Sequence, residues 1–524
     1  MRQIPMLSTR QGKAYGQLSL PPSALFGGLM VCLAFGLFIG PWGCARNPVS
    51  GRPEAVLTSE SAEIEQGNRL AQVIESEMGL VQNPGLEAYL SQLGQRLANH
   101  SPRANITYQF QLVDMPEANA FALPGGRIYV SRGLLPLLNS EDELAAVLGH
   151  EIGHVAARHS VRRQTASVPL APLRIAAALG GATASIVSPR LGQLVAGLGQ
   201  LPGAFAMAAY SRDQEREADR LGQQIAAAAG FDPMALSVFT DTLAREDALN
   251  KKPERGHSFL VSHPPSPERS VSAEEYAQGL TIQTELPAPL DRKAFLRHFD
   301  GIVLGQPALE GVFVDDRFLH PELGIGFSFP PNWETSNTDS SVSARSPDGS
   351  ADLIVELVAK SSSALEAAEE FAGTVKLKSG PHALRVGQLD AAEASVVVRI
   401  RGENSQLALT WFAYNDLVYR FTGIAPVSEF AKVRADFEKS ARSFHLLSEA
   451  ERSDIFEKKL RVVESRKSEN LAELGQRSGN QWSLAQTALA NGVQEIEQLP
   501  PDWPVKIAHE EPYPGPRATL SRTP

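Results

Sequence analysis

His150-Glu151-Ile152-Gly153-His154 places two imidazoles four residues apart, with a glutamate directly after the first. On a helix, positions i and i+4 share one face a turn apart, so both rings can reach one metal ion. Glu151 projects beside them and can accept a proton from a water that the metal acidifies. So short a motif also arises by chance on solvated helices. Here Leu144, Val147, Leu148, Ile152 and Val155 surround it, and unliganded histidines among such residues are costly to bury. The pattern points to zinc, one ion per chain.

A further ligand must come from elsewhere. An H-x-x-G-x-x-H continuation needs glycine at 157 and histidine at 160, where the chain has Ala157 and Ser160. His159 is therefore out of register, and reads as a surface histidine or a support behind the ligands. Downstream, residues 211–222 (SRDQEREADRLG) carry Glu215 and Asp219 one helical turn apart. One carboxylate could bind the metal while the other orients a ligating imidazole. A solvated charged face would produce the same letters, and Glu217 competes with Glu215.

Elements must hold these groups in place. Ser140-Glu141-Asp142-Glu143 is a capping box, which predicts a helix from Glu141 to about Arg163 carrying the motif. Residues 57–100 read as two helices parted at Pro84-Gly85, the second with Leu86, Leu90, Leu93 and Leu97 at helical spacing. Residues 107–113 alternate as a strand, and 119–130 read as two short strands around Pro124-Gly125-Gly126. Asn119, Ala120 and Phe121 thus offer an extended edge able to pair with a substrate backbone.

The whole chain has 524 residues, 43% of them hydrophobic, a length expected to make about three domains. Two cysteines exclude a disulfide-stapled scaffold, and a net charge of −10 argues against a nucleic-acid partner. Residues 1–44 read as an export signal: Arg2, Arg10 and Lys13, an apolar run over 24–40, then Gly43-Cys44. Gly43-Cys44 resembles the end of a bacterial lipobox, with Pro41 where leucine is usual, so Cys44 is a candidate for lipidation. A plain cleaved signal and an uncleaved anchor are the alternatives. Residues 168–210 hold only Arg174 and Arg190 as charges; they read as a helical hairpin over the core or as a surface touching membrane or partner.

Beyond the helical portion, residues 311–447 read as an α+β sandwich, with helices at 364–376 and 428–441 covering one face of a sheet. Residues 458–508 resemble, weakly, a LysM-like module of the kind that binds glycan; a helical appendix is the alternative. Residues 509–524 are expected to be disordered.

Taken together, residues 44–275 resemble the M48 metallopeptidases, most closely a periplasmic branch of protease-chaperones and lipoproteins. The resemblance rests on residues 43–51 (GCARNPVSG), 119–126 (NAFALPGG), 140–154 (SEDELAAVLGHEIGH) and the Glu215/Asp219 pair. It implies a mainly α-helical zincin-type metalloprotease domain with a small β-sheet over residues 45–300. It also implies His150, His154 and Glu215 as zinc ligands, Glu151 as general base and Asp219 as their support. Ser262-His263-Pro264 with Arg269 resembles a family segment whose histidine can take the fourth zinc position and restrain activity; His257 is its rival.

The expectation is a zinc endopeptidase of a Gram-negative cell envelope, periplasmic and membrane-anchored, cleaving unfolded or misassembled exported proteins. Two other readings stand beside it. One is an envelope chaperone or assembly factor with a latent zinc site. The other is a protein held to peptidoglycan through 458–508.

Overall fold

The computed structural model describes residues 44–46, 49, 51, 53–55, 58–167, 209–250, 259–263, 267–338, 340–400 and 402–515. The export signal before Cys44, His257 and nearly all of the 168–210 stretch lie outside the described residues. Among the described residues no helix is long and apolar enough to cross a membrane.

A short ribbon, β1 (Cys44–Arg46) and β2 (Pro53–Ala55), precedes helix α1 (Glu60–Met78), which Ser59 caps by accepting from the Ala62 amide. Helix α2 (Pro84–Ala98) starts with Asn83 as cap and proline at its first turn, where a missing N–H costs nothing. Its leucine stripe, Leu86, Leu90, Leu93 and Leu97, is buried. The small sheet has β3 (Gln109–Val113) parallel to β5 (Arg127–Ser131), with β4 (Ala120–Leu123) antiparallel on the far side, so β4 is an edge. Gly67 of α1 lets the turn after β4 come close: a Cβ there would meet the Pro124 carbonyl oxygen at 1.8 Å.

Helix α3 (Glu141–Ala156) begins where expected, with Ser140 accepting from the Glu143 amide. It ends earlier than the sequence predicts. Ala157 closes it, Arg158 takes a left-handed φ of 55°, and α4 (His159–Ser167) leaves in a new direction. A left-handed turn costs a non-glycine residue energy, and here a buried ion network holds it. The Arg158 Nε donates to Glu63 at 2.8 Å, and Arg103 donates both to Glu63 at 3.0 Å and to the Val155 carbonyl at 3.0 Å. Then come α5 (Arg212–Ala228), α6 (Ala235–Asn250), α7 (Phe259–Ser262), α8 (Pro267–Gln278) and α9 (Arg292–Arg297).

After α9 the chain passes along an edge of a distant strand. The Gly301 and Leu304 amides donate to Leu460 and Lys458 carbonyls at 2.8 and 2.7 Å. It then enters a domain of two sheets. Strands β6 (Val312–Val314), β7 (Arg317–His320) and β8 (Ile325–Ser328) are joined by β16 (His445–Leu446) in the smaller one. The larger holds β9 (Glu334–Asn337), β10 (Ser341–Arg345), β11 (Asp352–Ala359), β12 (Leu377–Val386), β13 (Leu389–Ile400), β14 (Glu403–Tyr414) and β15 (Leu417–Pro426).

Its two helices lie on opposite faces, not on the one face expected. Helix α10 (Ala364–Ala372) packs on Ala394, Val396, Leu407 and Trp411, whereas α11 (Phe430–Arg442) packs on Phe421, Ala425 and Phe412. Apolar side chains are buried on both sides of this sheet, so an apolar stripe on each helix does not show which side it takes.

Helix α12 (Glu449–Ser453) leads into β17 (Phe456–Glu464), α13 (Leu471–Ser478), α14 (Leu484–Asn491) and β18 (Pro504–Pro512), with β17 and β18 antiparallel from Phe456↔Pro512 to Glu464↔Pro504. Residues 509–512 are therefore paired, not disordered. Arg461 holds Glu511 in a two-bond ion pair, and the Tyr513 amide donates to the Ile455 carbonyl at 2.9 Å. Residues 516–524 lie outside the described residues.

Candidate metal centre

The site is built where α3 crosses α5 with backbones nearly touching. A Cβ on Gly149 would lie 2.9 Å from the Gly222 carbonyl oxygen, and one on Gly153 would lie 2.9 Å from that of Ala218. A Cβ on Gly222 would come within 2.6 Å of the His150 amide nitrogen. Only small residues permit this approach, and it carries Glu215 and Asp219 up to the two histidines. Ser211 and Gln214 cap α5 reciprocally, fixing the first turn in which Glu215 sits.

The donor atoms converge. His150 Nε2 lies 3.0 Å from His154 Nε2, and His263 Nδ1 lies 3.2 Å from His150 Nε2 and 3.0 Å from Glu215 Oε1. Glu215 oxygens stand 3.4 Å from His154 Nε2 and 3.6 Å from His150 Nε2. Tetrahedral bonds of about 2.0–2.1 Å put neighbouring donors roughly 3.3–3.4 Å apart, and the four donor atoms, all within 4.8 Å of one another, are compatible with a metal site. Glu217 points elsewhere: its carboxylate accepts from His159 at 3.1 Å and from Arg162 at 2.8 Å.

Two of the donors have charge states that suit a cation. Burial holds His154 well below the ordinary histidine range, leaving a lone pair for a cation. Burial would raise the Glu215 carboxyl, but His263 and His154 outweigh it and keep the group ionised. Glu151 is fully enclosed, both its oxygens lack a hydrogen-bond donor, and burial pushes its pKa up. Raised proton affinity suits a group that must collect a proton.

Asp219 Oδ1 lies 2.9 Å from His150 Nδ1, and Arg269 grips both Asp219, through its Nη2 at 2.7 Å, and Glu215, through its Nη1 at 2.6 Å. The sequence marked Arg269 but not this double grip. His159 is wholly buried, with Nδ1 2.8 Å from His154 Nδ1. Tyr210, which the sequence did not single out, stacks on the His154 ring with centroids 3.9 Å apart.

Asn119, Ala120 and Phe121 are all buried beside α3. The Phe259 amide donates to the Ala118 carbonyl at 2.8 Å, and the Tyr210 amide donates to Ser262. The segment carrying His263 thus sits at the entrance to the edge strand. Cys44 opens the N-terminal ribbon, as the first residue of β1.

The profile of peptidase family M48 matches residues 84–277. The beta-barrel assembly-enhancing protease of Escherichia coli K12 is 31% identical over 235 residues, 44% of this chain and 47% of that protein. Metalloprotease YcaL of the same strain is 30% identical over 218 residues, 41% of this chain and 76% of that protein. Mitochondrial metalloendopeptidase OMA1 of Schizosaccharomyces pombe is 31% identical over 199 residues, covering 38% and 55%. The chain spans about half the length of the assembly-enhancing proteases it matches.

Proposed function

The chain belongs to peptidase family M48, and on that premise we propose that it is a zinc-dependent endopeptidase of the bacterial cell envelope, acting on misfolded or misassembled exported proteins. The observation that carries this reading is the convergence of His150, His154, Glu215 and His263 around one point, with Glu151 enclosed beside it. Zinc held there would polarise a peptide carbonyl and acidify a water molecule. Glu151 takes the water's proton as its oxygen attacks the carbonyl carbon, and returns it to the amine as the C–N bond breaks. His150, His154 and Glu215 would hold the ion, with Asp219 and Arg269 orienting His150 and Glu215. The edge at Asn119–Phe121 would pair with substrate main chain, which selects weakly by sequence and suits unfolded clients. β-Barrel proteins are the class that the relatives' name suggests. An N-terminal lipid or helical anchor would hold the enzyme at the membrane.

The test is metal content and casein cleavage by the chain lacking residues 1–44. One zinc per chain, with cleavage abolished in Glu151→Gln while zinc stays bound, supports the reading. Zinc without cleavage, even when His263 is removed, sinks it.

One observation favours a second reading, a chaperone with a latent site: His263 stands in the corner that a reactant water needs. A Glu151→Gln protein that still supports envelope integrity would favour it. The β-α-α-β order of residues 456–512 supports a LysM-like, peptidoglycan-binding role for that part. Failure of the full chain to sediment with cell-wall sacculi would end that idea.

A further inference from the structure

His154 has a neighbour that its motif does not include. Its Nε2 faces the donor cluster, 3.0 Å from His150 Nε2, so with a metal bound the proton of the ring sits on Nδ1. That Nδ1 lies 2.8 Å from His159 Nδ1. The contact requires His159 to accept there, which puts its own proton on Nε2, 3.1 Å from Glu217 Oε2. Arg162 Nη1 donates to the same oxygen at 2.8 Å. One set of tautomers satisfies every step, from the cluster outward to a partly exposed carboxylate.

We propose that His159 and Glu217 are positioning residues for the metal centre, holding His154 as Asp219 and Arg269 hold His150. The inference rests on the metal-centre reading above. It explains the break in the helix. Continued as a helix, residues 154 and 159 would lie well over one turn apart and on diverging faces. The left-handed Arg158, pinned by Glu63, swings His159 back against His154. It also gives Glu217 a role distinct from that of Glu215, two residues earlier on the same helix. Ligating histidines whose outer nitrogen is hydrogen-bonded are fixed in tautomer and ring orientation, and losing that partner typically weakens metal binding about 10–100-fold.

Zinc affinity of the full chain, measured by competition with a chelating dye, tests this. His159→Ala should weaken binding about 10–100-fold. His159→Asn, whose Oδ1 falls near the position of the lost Nδ1, should recover most of it. Glu217→Gln should weaken it severalfold. Melting of the zinc-stripped His159→Asn protein should match wild type, which separates metal positioning from a mere filling of space. If His159→Ala fails to fold, the Asn and Gln variants carry the test. Affinities within twofold of wild type across the set overturn the proposal, as does His159→Asn binding no better than His159→Ala. A wild-type chain that takes up no zinc overturns the metal reading itself, and this inference with it.

Discussion

His263 touches two functional groups with one ring: its Nδ1 lies 3.0 Å from Glu215 Oε1 and its Nε2 3.4 Å from Glu151 Oε1. A metal held by all four residues would leave no corner for water. The arrangement describes a closed site. On the proposed mechanism, His263 would have to withdraw before the chemistry could begin.

His263→Ala should therefore cleave casein faster than wild type while keeping its zinc. A closed state favoured by about 1.4 kcal/mol leaves roughly a tenth of molecules competent, so a gain on the order of tenfold is expected. Turnover that falls in this variant, with zinc content unchanged, would show His263 to be needed for catalysis and would remove the restraint.

The crossing of α3 and α5 is equally open to test. A methyl on Gly222 would come within 2.6 Å of backbone at His150, which cannot move without shifting the helix that carries the ligands. Gly222→Ala should cost about 1–3 kcal/mol of stability through overpacking and should also weaken zinc binding. Thermal melts of zinc-loaded and zinc-stripped protein check both parts. A melting point and zinc affinity equal to wild type would mean that the helices part freely, against the close contact seen.

Much of this centre was legible in the sequence, for a physical reason. His150, Glu151 and His154 declare themselves because ligands one turn apart need only local helix geometry, and Ser140 announces that helix by a local bond. What stayed hidden depends on distant residues. Nothing near Arg158 says that the helix ends there; the cause is Glu63, almost a hundred positions away. His159 looked out of register because it misses the H-x-x-G-x-x-H spacing by one residue, and that spacing says nothing of a contact made through the ring's outer nitrogen. The faces that α10 and α11 take on the larger sheet were likewise hidden, since apolar residues are buried on both sides and only packing assigns the helices to them.

His320 gives the sheet domain a pH dependence. Burial depresses its pKa from 6.5 to about 4, against the opposing pull of Glu322, and its Nδ1 accepts from the Leu323 amide at 3.3 Å, which the protonated ring cannot do. The unfolded chain takes up this proton more readily than the folded one. Stability contributed by the neutral ring is thus full above about 6.5 and is lost as pH falls through about 4, to the extent of about 3 kcal/mol. Urea unfolding followed at several pH values should show a shallower dependence for His320→Gln than for wild type. Parallel curves would refute the assignment.

The last prediction concerns how the C-terminal β-α-α-β unit is joined to the metal-binding portion. Lys506 of β18 is wholly buried, and its Nζ donates to the Pro136 and Leu138 carbonyls at 2.8 and 2.5 Å, just before the cap of α3. Arg292 bridges the same seam, donating to the carbonyls of Asn139 and Asn491 at 3.1 and 3.2 Å. Burial, with Arg292 nearby, pushes the Lys506 amine well below the ordinary lysine range, so its worth here lies in the bonds it donates more than in its charge. Lys506→Met keeps the length and removes the donor, leaving two buried carbonyls unsatisfied at about 1–3 kcal/mol each. The helical portion and residues 456–512 should melt together in one calorimetric transition, and that transition should fall in Lys506→Met while the sheet domain's stays in place. Two separate transitions, with only the C-terminal one moved, would show the unit to be an independent appendage and the start of α3 to stand without it.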